Sequence, residues 1–486
     1  MSAVFRLSAL ATSLALAACA AGSDYERPAS AVSARFARDE SQAMQHDAAP
    51  AGTSADADAA FWRGFGDPAL TRLIDAALAA NQDLQLAVSR YDASNALLRE
   101  TRFDRIPTIT ASGQIGHRLT SKDQAFGAPR DQRDKPTSSV GINAAWELDL
   151  FGRVRRAVEA QRAETAASAA DVRAVRIAIA GEVARAYVDL RGSQERLRIA
   201  RENADNQRQT LALIDARVGA GRGSELDAAR ARAQVESTTS RIAVYEAAIG
   251  VDEHRLAVLT GQPPGALIGE LDAPAPLPAL VADIDPGTPG DLLRRRPDVA
   301  AAEARLRAAT ARVGVATADL FPRFTLTGLL GSMTSSYGFF RSGSDTNLIA
   351  LGVDWSFLDV GRVRARLAAS NADAAGQLAQ YRQTVLGALE ETENALLRVA
   401  RTRDETTHLE RAATDSARAA QLAHARFTAG AIDYYEVLDA ERTLLQAQDA
   451  AADGRMRSSD ATVALYKALA GGWPSGAGPD APIARR

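Results

Sequence analysis

The chain has a single cysteine, Cys19, in 486 residues, so an internal disulfide is excluded. Proline is missing from two long stretches. Of 18 prolines, none lies between Pro136 and Pro263 or between Pro322 and Pro474, whereas eight crowd between Pro263 and Pro297. Two proline-free blocks joined by a proline-rich connector read as two halves rather than the several domains that the length alone suggests. Neither sign of charge prevails: 57 basic and 60 acidic residues leave a net charge of -3, which removes any electrostatic case for nucleic acid as a partner. Histidine is scarce, and His117, His254, His408 and His424 are not spaced with cysteines or carboxylates as metal ligands are, so no metal site is expected. A glycine-rich phosphate loop and a nucleophile elbow are also absent from the sequence.

What is present begins with a targeting segment. Arg6 precedes an apolar run, Leu7 to Ala18, that is too short to span a bilayer and ends in small residues. Residues 1–18 therefore read as a signal peptide. Leu16-Ala17-Ala18-Cys19 resembles the bacterial lipoprotein signal, which implies lipidation of Cys19, with palmitate among the acyl groups, and Cys19 as the mature N-terminus. Ala20 in place of Asp favours sorting to the outer membrane under that rule. The alternative is a chance cysteine beside an ordinary cleavage site. Residues 19–60, rich in Ala, Ser, Asp and Pro, read as an extended or partly disordered tether.

The organising stretch is a strand running into a helix, and it occurs twice. Val140, Ile142, Ala144, Trp146 and Leu148 alternate with Gly141, Asn143, Ala145 and Glu147, and Phe151-Gly152-Arg153 then opens a helical pattern. Ile349, Leu351, Val353, Trp355 and Phe357 repeat the alternation, followed by Val360-Gly361-Arg362, every position displaced by 209 residues. Gly152 and Gly361 are expected to permit the change of backbone geometry.

Repeat 1 spans 61–262 and contains a helix from Pro68 to Arg102, two strands within 106–148, a long helix 154–218 and a return helix 226–259. A 65-residue helix is roughly 98 Å long at 1.5 Å per residue, too long for a globular domain, and belongs in a coiled-coil-like assembly. The connector is 263–293. Repeat 2, residues 294–473, gives a helix from Arg294 to Asp319, two strands within 323–358, a long helix 363–426 and a return helix 437–469. Residues 474–486 form a flexible tail, and Arg294 to Arg296 read as a solvated or helix-start feature. Two strands per half are too few for a stable sheet, so the sheet must be completed elsewhere, most simply by other copies of the chain. Trp146, Trp355 and Phe357 sit where an aromatic girdle lies on a membrane barrel, and Asn143, Asp354 and Ser356 suit a wet lumen. A soluble sandwich with one exposed face is the alternative.

The strings Arg295-Arg296-Pro297-Asp298-Val299 with Ala302-Glu303, Gly314-Val315-Ala316 to Leu320-Phe321-Pro322, Asp359-Val360-Gly361-Arg362 and Tyr466 to Trp473 resemble the TolC-like outer-membrane efflux factors, in particular the NodT-type lipoproteins of RND efflux systems. The resemblance implies an α+β membrane protein: a homotrimer whose outer-membrane β-barrel, four strands per protomer, continues into a long periplasmic α-helical barrel built from two internal repeats. It implies no enzyme activity and no cofactor. The partners implied are outer-membrane lipid, a periplasmic adaptor (membrane fusion) protein and a proton-driven inner-membrane RND transporter, with the chain as the passive exit duct for drugs or other small toxic compounds. A duct for type I protein or peptide secretion is the alternative within transport, and a lipid-anchored adhesive coiled coil the alternative outside it.

The same resemblance places a periplasmic gate at Tyr434-Tyr435-Glu436-Val437-Leu438-Asp439-Ala440. Tyr435 and Asp439 stand at two constricting rings, with Glu436 beside them and with Leu226, Asp227 and Arg230 as their first-half counterparts. Three Asp439 carboxylates near one axis repel one another and attract cations, and Arg230 is a candidate partner for a second-half acid. Arg217, Gly221 and Arg222, with Arg426 and Gly430, are the helix tips expected to meet the adaptor.

Overall fold

A computed structural model describes residues 21–29, 32–37, 61–278, 284 and 286–470. The signal peptide, Cys19, Gly471 to Trp473 and the C-terminal tail lie outside the described residues. The chain is mostly helical with one small antiparallel sheet. It divides into two compact units: one contains residues 21–29, 90–169 and 301–383, the other residues 32–37, 61–89, 170–278, 284, 286–300 and 384–470.

The order begins with a 3-10 turn, Phe61–Phe65, followed by α1, Pro68–Ala80, and α2, Gln82–Phe103. One continuous helix was expected here. Asn81 interrupts it with ψ of 131°, and the same buried side chain accepts from Asp83 N at 2.9 Å to start α2 while its amide donates to Leu259 O at 2.9 Å. At the front of α1, Asp67 accepts from Ala69 N and Leu70 N at 2.8 and 3.1 Å, and Pro68 takes the first helical position, where its missing N–H costs nothing.

Strand β1, Thr108–Leu119, pairs with β2, Asp134–Leu148; α3, Arg153–Gly219, and α4, Glu225–Leu259, follow. Further along come α5, Pro289–Arg295, and α6, Pro297–Ala318. The expected helix from Arg294 is broken at Arg296, which precedes Pro297 and is extended with ψ of 121°, and α5 lies mostly within what was expected as connector. Arg296 is not solvated: it is buried against Asp298 and Glu391, each at 2.7 Å, and donates to Ala468 O at 2.8 Å. Strands β3, Arg323–Thr334, and β4, Asp345–Asp354, complete the sheet, and α7, Val360–Thr428, and α8, Tyr434–Ala468, end the described chain.

The sheet is a meander in the order β1-β2-β3-β4, with β1 and β4 each paired on one side. Its register aligns the apolar residues into one face. Ile109 lies opposite Ala144, Ala144 opposite Gly328, and Gly328 opposite Ile349; Trp146 lies opposite Leu326, and Leu326 opposite Leu351. The other face carries Thr108, Ala145, Thr327 and Ala350 in one row and Thr110, Asn143, Leu329 and Leu348 in the next. Strand β4 stops at Asp354, short of the expected end: Trp355 lies beyond it and Phe357 opens a 3-10 turn, Phe357–Asp359, that leads into α7. Gly152 has φ of +81°, as a strand-to-helix corner requires. Gly361 does not share that role; it is the second residue of α7.

A single displacement of 209 residues does not hold throughout. The breaks at Asn81 and Arg296 and the strand starts at Thr108 and Arg323 are 215 apart, whereas Gly221 and Gly430 are 209 apart. The difference of six falls within the two hairpins, whose loops are 120–133 and 335–344.

Candidate functional site

At the base of the sheet, two indoles are held in equivalent ways: Trp146 Nε1 donates to Arg105 O and Trp355 Nε1 to Leu320 O, both at 3.1 Å. Trp355 and Phe357 lie 5.2 Å apart between ring centroids. A stacked pair, Phe151 and Phe321 at 4.7 Å, sits beside the corner that leads into α3. Asp149 caps that helix by accepting from Val154 N at 3.1 Å and Arg155 N at 2.8 Å. The N-terminal segment is fastened here. Ala21 N donates to Phe151 O at 2.9 Å, and buried Arg156 donates to Ala21 O, Gly22 O and the Asp24 carboxylate.

The opposite ends of α3 and α7 close with the same hydrogen-bond motif. Arg222 N donates to Arg217 O at 2.8 Å and Gly221 N to Val218 O at 2.9 Å; Ala431 N donates to Arg426 O at 2.8 Å and Gly430 N to Phe427 O at 3.0 Å. The two glycines carry φ of +71° and +75°, the left-handed cap that glycine adopts without a Cβ clash. Behind these turns Ile214, Ala228, Ala231, Phe427, Tyr434 and Val437 form a buried cluster. The Arg217 guanidinium lies 4.3 Å from the Phe427 ring centroid, whereas Arg222 and Arg426 are exposed.

The residues expected at the gate come together on the outward side of that cluster. Tyr434 and Val437 of α8 point into it, while Tyr435, Glu436 and Asp439 are exposed. On α4, Leu226 and Arg230 are exposed one turn apart. Arg230 sits 5.6 Å over the Tyr435 ring and 3.7 Å from Asp227 of its own helix. Asp439 meets Arg442 at 3.2 Å, so the charge partner of Arg230 is Asp227, and what it meets on the second half is an aromatic ring.

A second polar group escaped the sequence reading. Glu441, 6% exposed, accepts at 2.7 Å from His424 Nε2 and at 3.3 Å from Thr210 Oγ1. Burial pushes its carboxyl above the ordinary range, and the His424 imidazole and the Thr210 hydroxyl oppose the shift. The Tyr434 phenol is also pushed up, by burial first and then by Glu441 and Asp227. The signal was available in the stripe Tyr434, Val437, Glu441, Leu445, every member of which is buried. A carboxylate at an apolar-stripe position of a helix requires a partner. Among the described residues, no group of three or more His, Cys, Asp or Glu side chains is arranged to hold a metal ion, and no helix is long and apolar enough to cross a membrane.

A four-stranded meander with one continuous apolar face, open edges and an aromatic pair at its base, leading into helices of 67 and 69 residues, defines an outer-membrane channel with a periplasmic helical domain. The model of the outer membrane efflux protein family matches residues 73–262 and 288–471, and the chain belongs to that family. It is 34% identical to the outer membrane protein OprJ of Pseudomonas aeruginosa over 97% of both chains, and 32% identical to the solvent efflux pump outer membrane protein SrpC of Pseudomonas putida over 95% of this chain and 97% of the relative. It is 30% identical to nodulation protein T of Rhizobium leguminosarum bv. trifolii over 89% of this chain and 90% of the relative. The solved structure of the outer-membrane channel OprN superposes with a TM-score of 0.85 at 37% identity, covering 94% of this chain and all of that one. The open state of MtrE from Neisseria gonorrhoeae gives 0.80 at 27%, covering 93% and 98%. The protein is an outer-membrane efflux channel component.

Proposed function

We propose that three copies of this chain close one twelve-stranded barrel and its helical tunnel, built from two internal repeats per chain, and that the assembly is the passive exit duct of a tripartite RND-type pump. The observation that carries this reading is the sheet itself. Its unpaired β1 and β4 edges and its face of exposed apolar side chains, Ile109, Ile142, Leu326 and Ile349 among them, stay uncovered unless further strands and lipid complete them. Small toxic compounds fit as cargo because relatives across nearly the whole chain are named as solvent, toluene and antibiotic efflux pump outer membrane proteins. The proton-driven transporter and the adaptor supply the energy and the seal; the chain supplies a path. Arg217, Gly221, Arg222, Arg426 and Gly430 are the surface for the adaptor's helical hairpins, and Tyr435 with Asp439 constricts the tunnel.

Cys19 is the lipid anchor in this reading. Ala21, two residues later, donates its N–H to Phe151 O at the foot of the sheet, which supports an anchor near the Trp146 and Trp355 girdle. The test is susceptibility to a panel of dyes, solvents and antibiotics in a strain lacking this protein while its cognate pump is overproduced. Restored resistance on complementation supports the reading, and unchanged susceptibility in the deletion strain sinks it.

A further inference from the structure

We infer that the register in which β4 of one copy pairs with β1 of the next is already written inside a single chain, and that it sets Leu351 opposite Ile115, Gly352 opposite Gln114 and Ala350 opposite Gly116. The inference rests on the reading of a barrel shared between copies and adds to it the residues that meet at the seam.

The two hairpins have one pattern of pairs. Raising β1 numbers by 215 and β2 numbers by 209 turns Thr108 opposite Ala145 into Arg323 opposite Asp354, and His117 opposite Pro136 into Ser332 opposite Asp345, each of which is a pair in the structure. The same two displacements carry the Trp146 bond to Arg105 O onto the Trp355 bond to Leu320 O. The sheet therefore repeats a two-stranded unit, and the antiparallel β2–β3 pairing is the seam between units. Strands β4 and β1 are the same two strands displaced by one unit, each with an open edge. Four strands are too few to close on themselves, so the pattern continues only with β4 of one copy against β1 of another.

Carried to that edge, Ile142 opposite Leu330 becomes Leu351 opposite Ile115, Asn143 opposite Leu329 becomes Gly352 opposite Gln114, and Gly141 opposite Gly331 becomes Ala350 opposite Gly116. The side chains fit the transfer. Ile115 and Leu351 are exposed in the single chain, and pairing them continues the apolar face across the seam. At the foot, the stacked Phe151 and Phe321 have Val360 and Ile106 as counterparts, and both of those are exposed. The close approach of backbones falls on a glycine in each seam. A Cβ at Gly331 would collide with Val140 O and Gly141 Cα, whereas a Cβ at its counterpart Gly116 meets, among the described residues, Thr137 Oγ1 at an ordinary 3.6 Å. One copy leaves that space open, and a second copy fills it. Ala350 stands where Gly141 stands, a position at which a Cβ approaches Leu330 O at 3.2 Å without colliding.

The test is disulfide scanning of the full-length protein in outer-membrane vesicles. Gln114→Cys with Gly352→Cys is expected to give, on oxidation with copper phenanthroline, a ladder of joined copies on denaturing, non-reducing gels. That ladder is expected to be at least about tenfold stronger than with Gln114→Cys and either Ala350→Cys or Asp354→Cys, whose Cα atoms the register sets beyond the ~7 Å that a disulfide bridges. Wild type and single-cysteine variants, which keep Cys19, set the background. A stronger ladder from either displaced pair overturns the register, and an oligomer that gives no ladder from any pair overturns the β1–β4 seam. A protein that is monomeric before oxidation overturns the shared barrel itself. Glycine substitution reads the seam without thiols. Gly116→Val is expected to abolish the heat-modifiable oligomer with helix content by circular dichroism unchanged. Gly113→Val is expected to leave the oligomer intact, because a Cβ at Gly328, the counterpart of Gly113, meets Ala144 Cβ at a comfortable 3.8 Å. The same result in both variants overturns the place given to Gly116.

Discussion

Burial first, and then the charge of Asp189 on α3, push the Asp460 carboxyl of α8 up to about 8. Asp252 of α4 is pushed to about 7, by burial first and then by Asp189. Arg185, 3.7 Å from Asp189, is the cation nearest the group. Each raised carboxyl holds its proton in the folded chain at a pH where the unfolded chain has released it. Stability from these groups is therefore fully present at acid pH and declines as pH rises through about 7 and 8. Asp460→Asn keeps a hydrogen-bond donor without the charge. It is expected to melt above the wild type on the alkaline side, with the gap closing toward about pH 5, in thermal denaturation followed by circular dichroism; parallel pH curves would refute the raised Asp460 carboxyl. At the proposed gate, Asp439→Ala is expected to raise single-channel conductance and lower cation preference, and Arg442→Ala, which strips the carboxylate of its 3.2 Å partner, to raise cation preference. Reversal potentials in a salt gradient measure both. The resemblance singled out Tyr435 and Asp439 as constricting rings, and the structure shows both exposed on α8, but the motif could not show that Arg230 lies over an aromatic ring, because that pairing depends on how helices distant in sequence meet. Cys19 lies outside the described residues.

At the level of elements, the long helices were the most legible part of the chain. The expected 154–218 and 363–426 became Arg153–Gly219 and Val360–Thr428, because sustained apolar spacing and terminal glycines constrain a long helix strongly. The apolar face of the strands was equally readable, since alternation of period two fixes which side chains share a face. Asn81 was missed because one asparagine inside a sustained apolar pattern is a weak cap signal; the break is fixed by its cap of α2 and by a distant carbonyl, Leu259 O. The end of β4 was overrun because Trp355 and Phe357 prolong the alternation through a turn that is fixed by the Trp355 hydrogen bond to Leu320. The join between the two halves is the β2–β3 pairing, and at Gly331 an added Cβ would lie 2.3 Å from Val140 O and 2.7 Å from Gly141 Cα. Both contacts are backbone, so neither can yield without breaking the pairing. Gly331→Val is expected to abolish the heat-modifiable oligomer on gels while helix content by circular dichroism changes little.

For the whole molecule, the sequence announced two halves and an incomplete sheet but not the number of copies that complete it, because that number is set by how much each strand pair tilts and curls. What the assembled protein must settle is which face of the sheet meets lipid. Ile142 lies on the face of Trp146, opposite Leu330 on β3, and Thr327 lies on the other face, opposite Ala145 and Ala350. A lysine on the lipid side of a membrane barrel costs ~2–4 kcal/mol near the bilayer midplane, whereas one in a wet lumen costs little. Ile142→Lys is therefore expected to prevent insertion or leave a thermally weakened oligomer, and Thr327→Lys to assemble normally and shift ion preference toward anions. Native mass spectrometry of each variant after outer-membrane extraction counts the copies, and bilayer recording reads the lumen charge. If Thr327→Lys blocked assembly while Ile142→Lys did not, the apolar face would be turned inward, and the sheet would be the core of a sandwich instead of the wall of a pore.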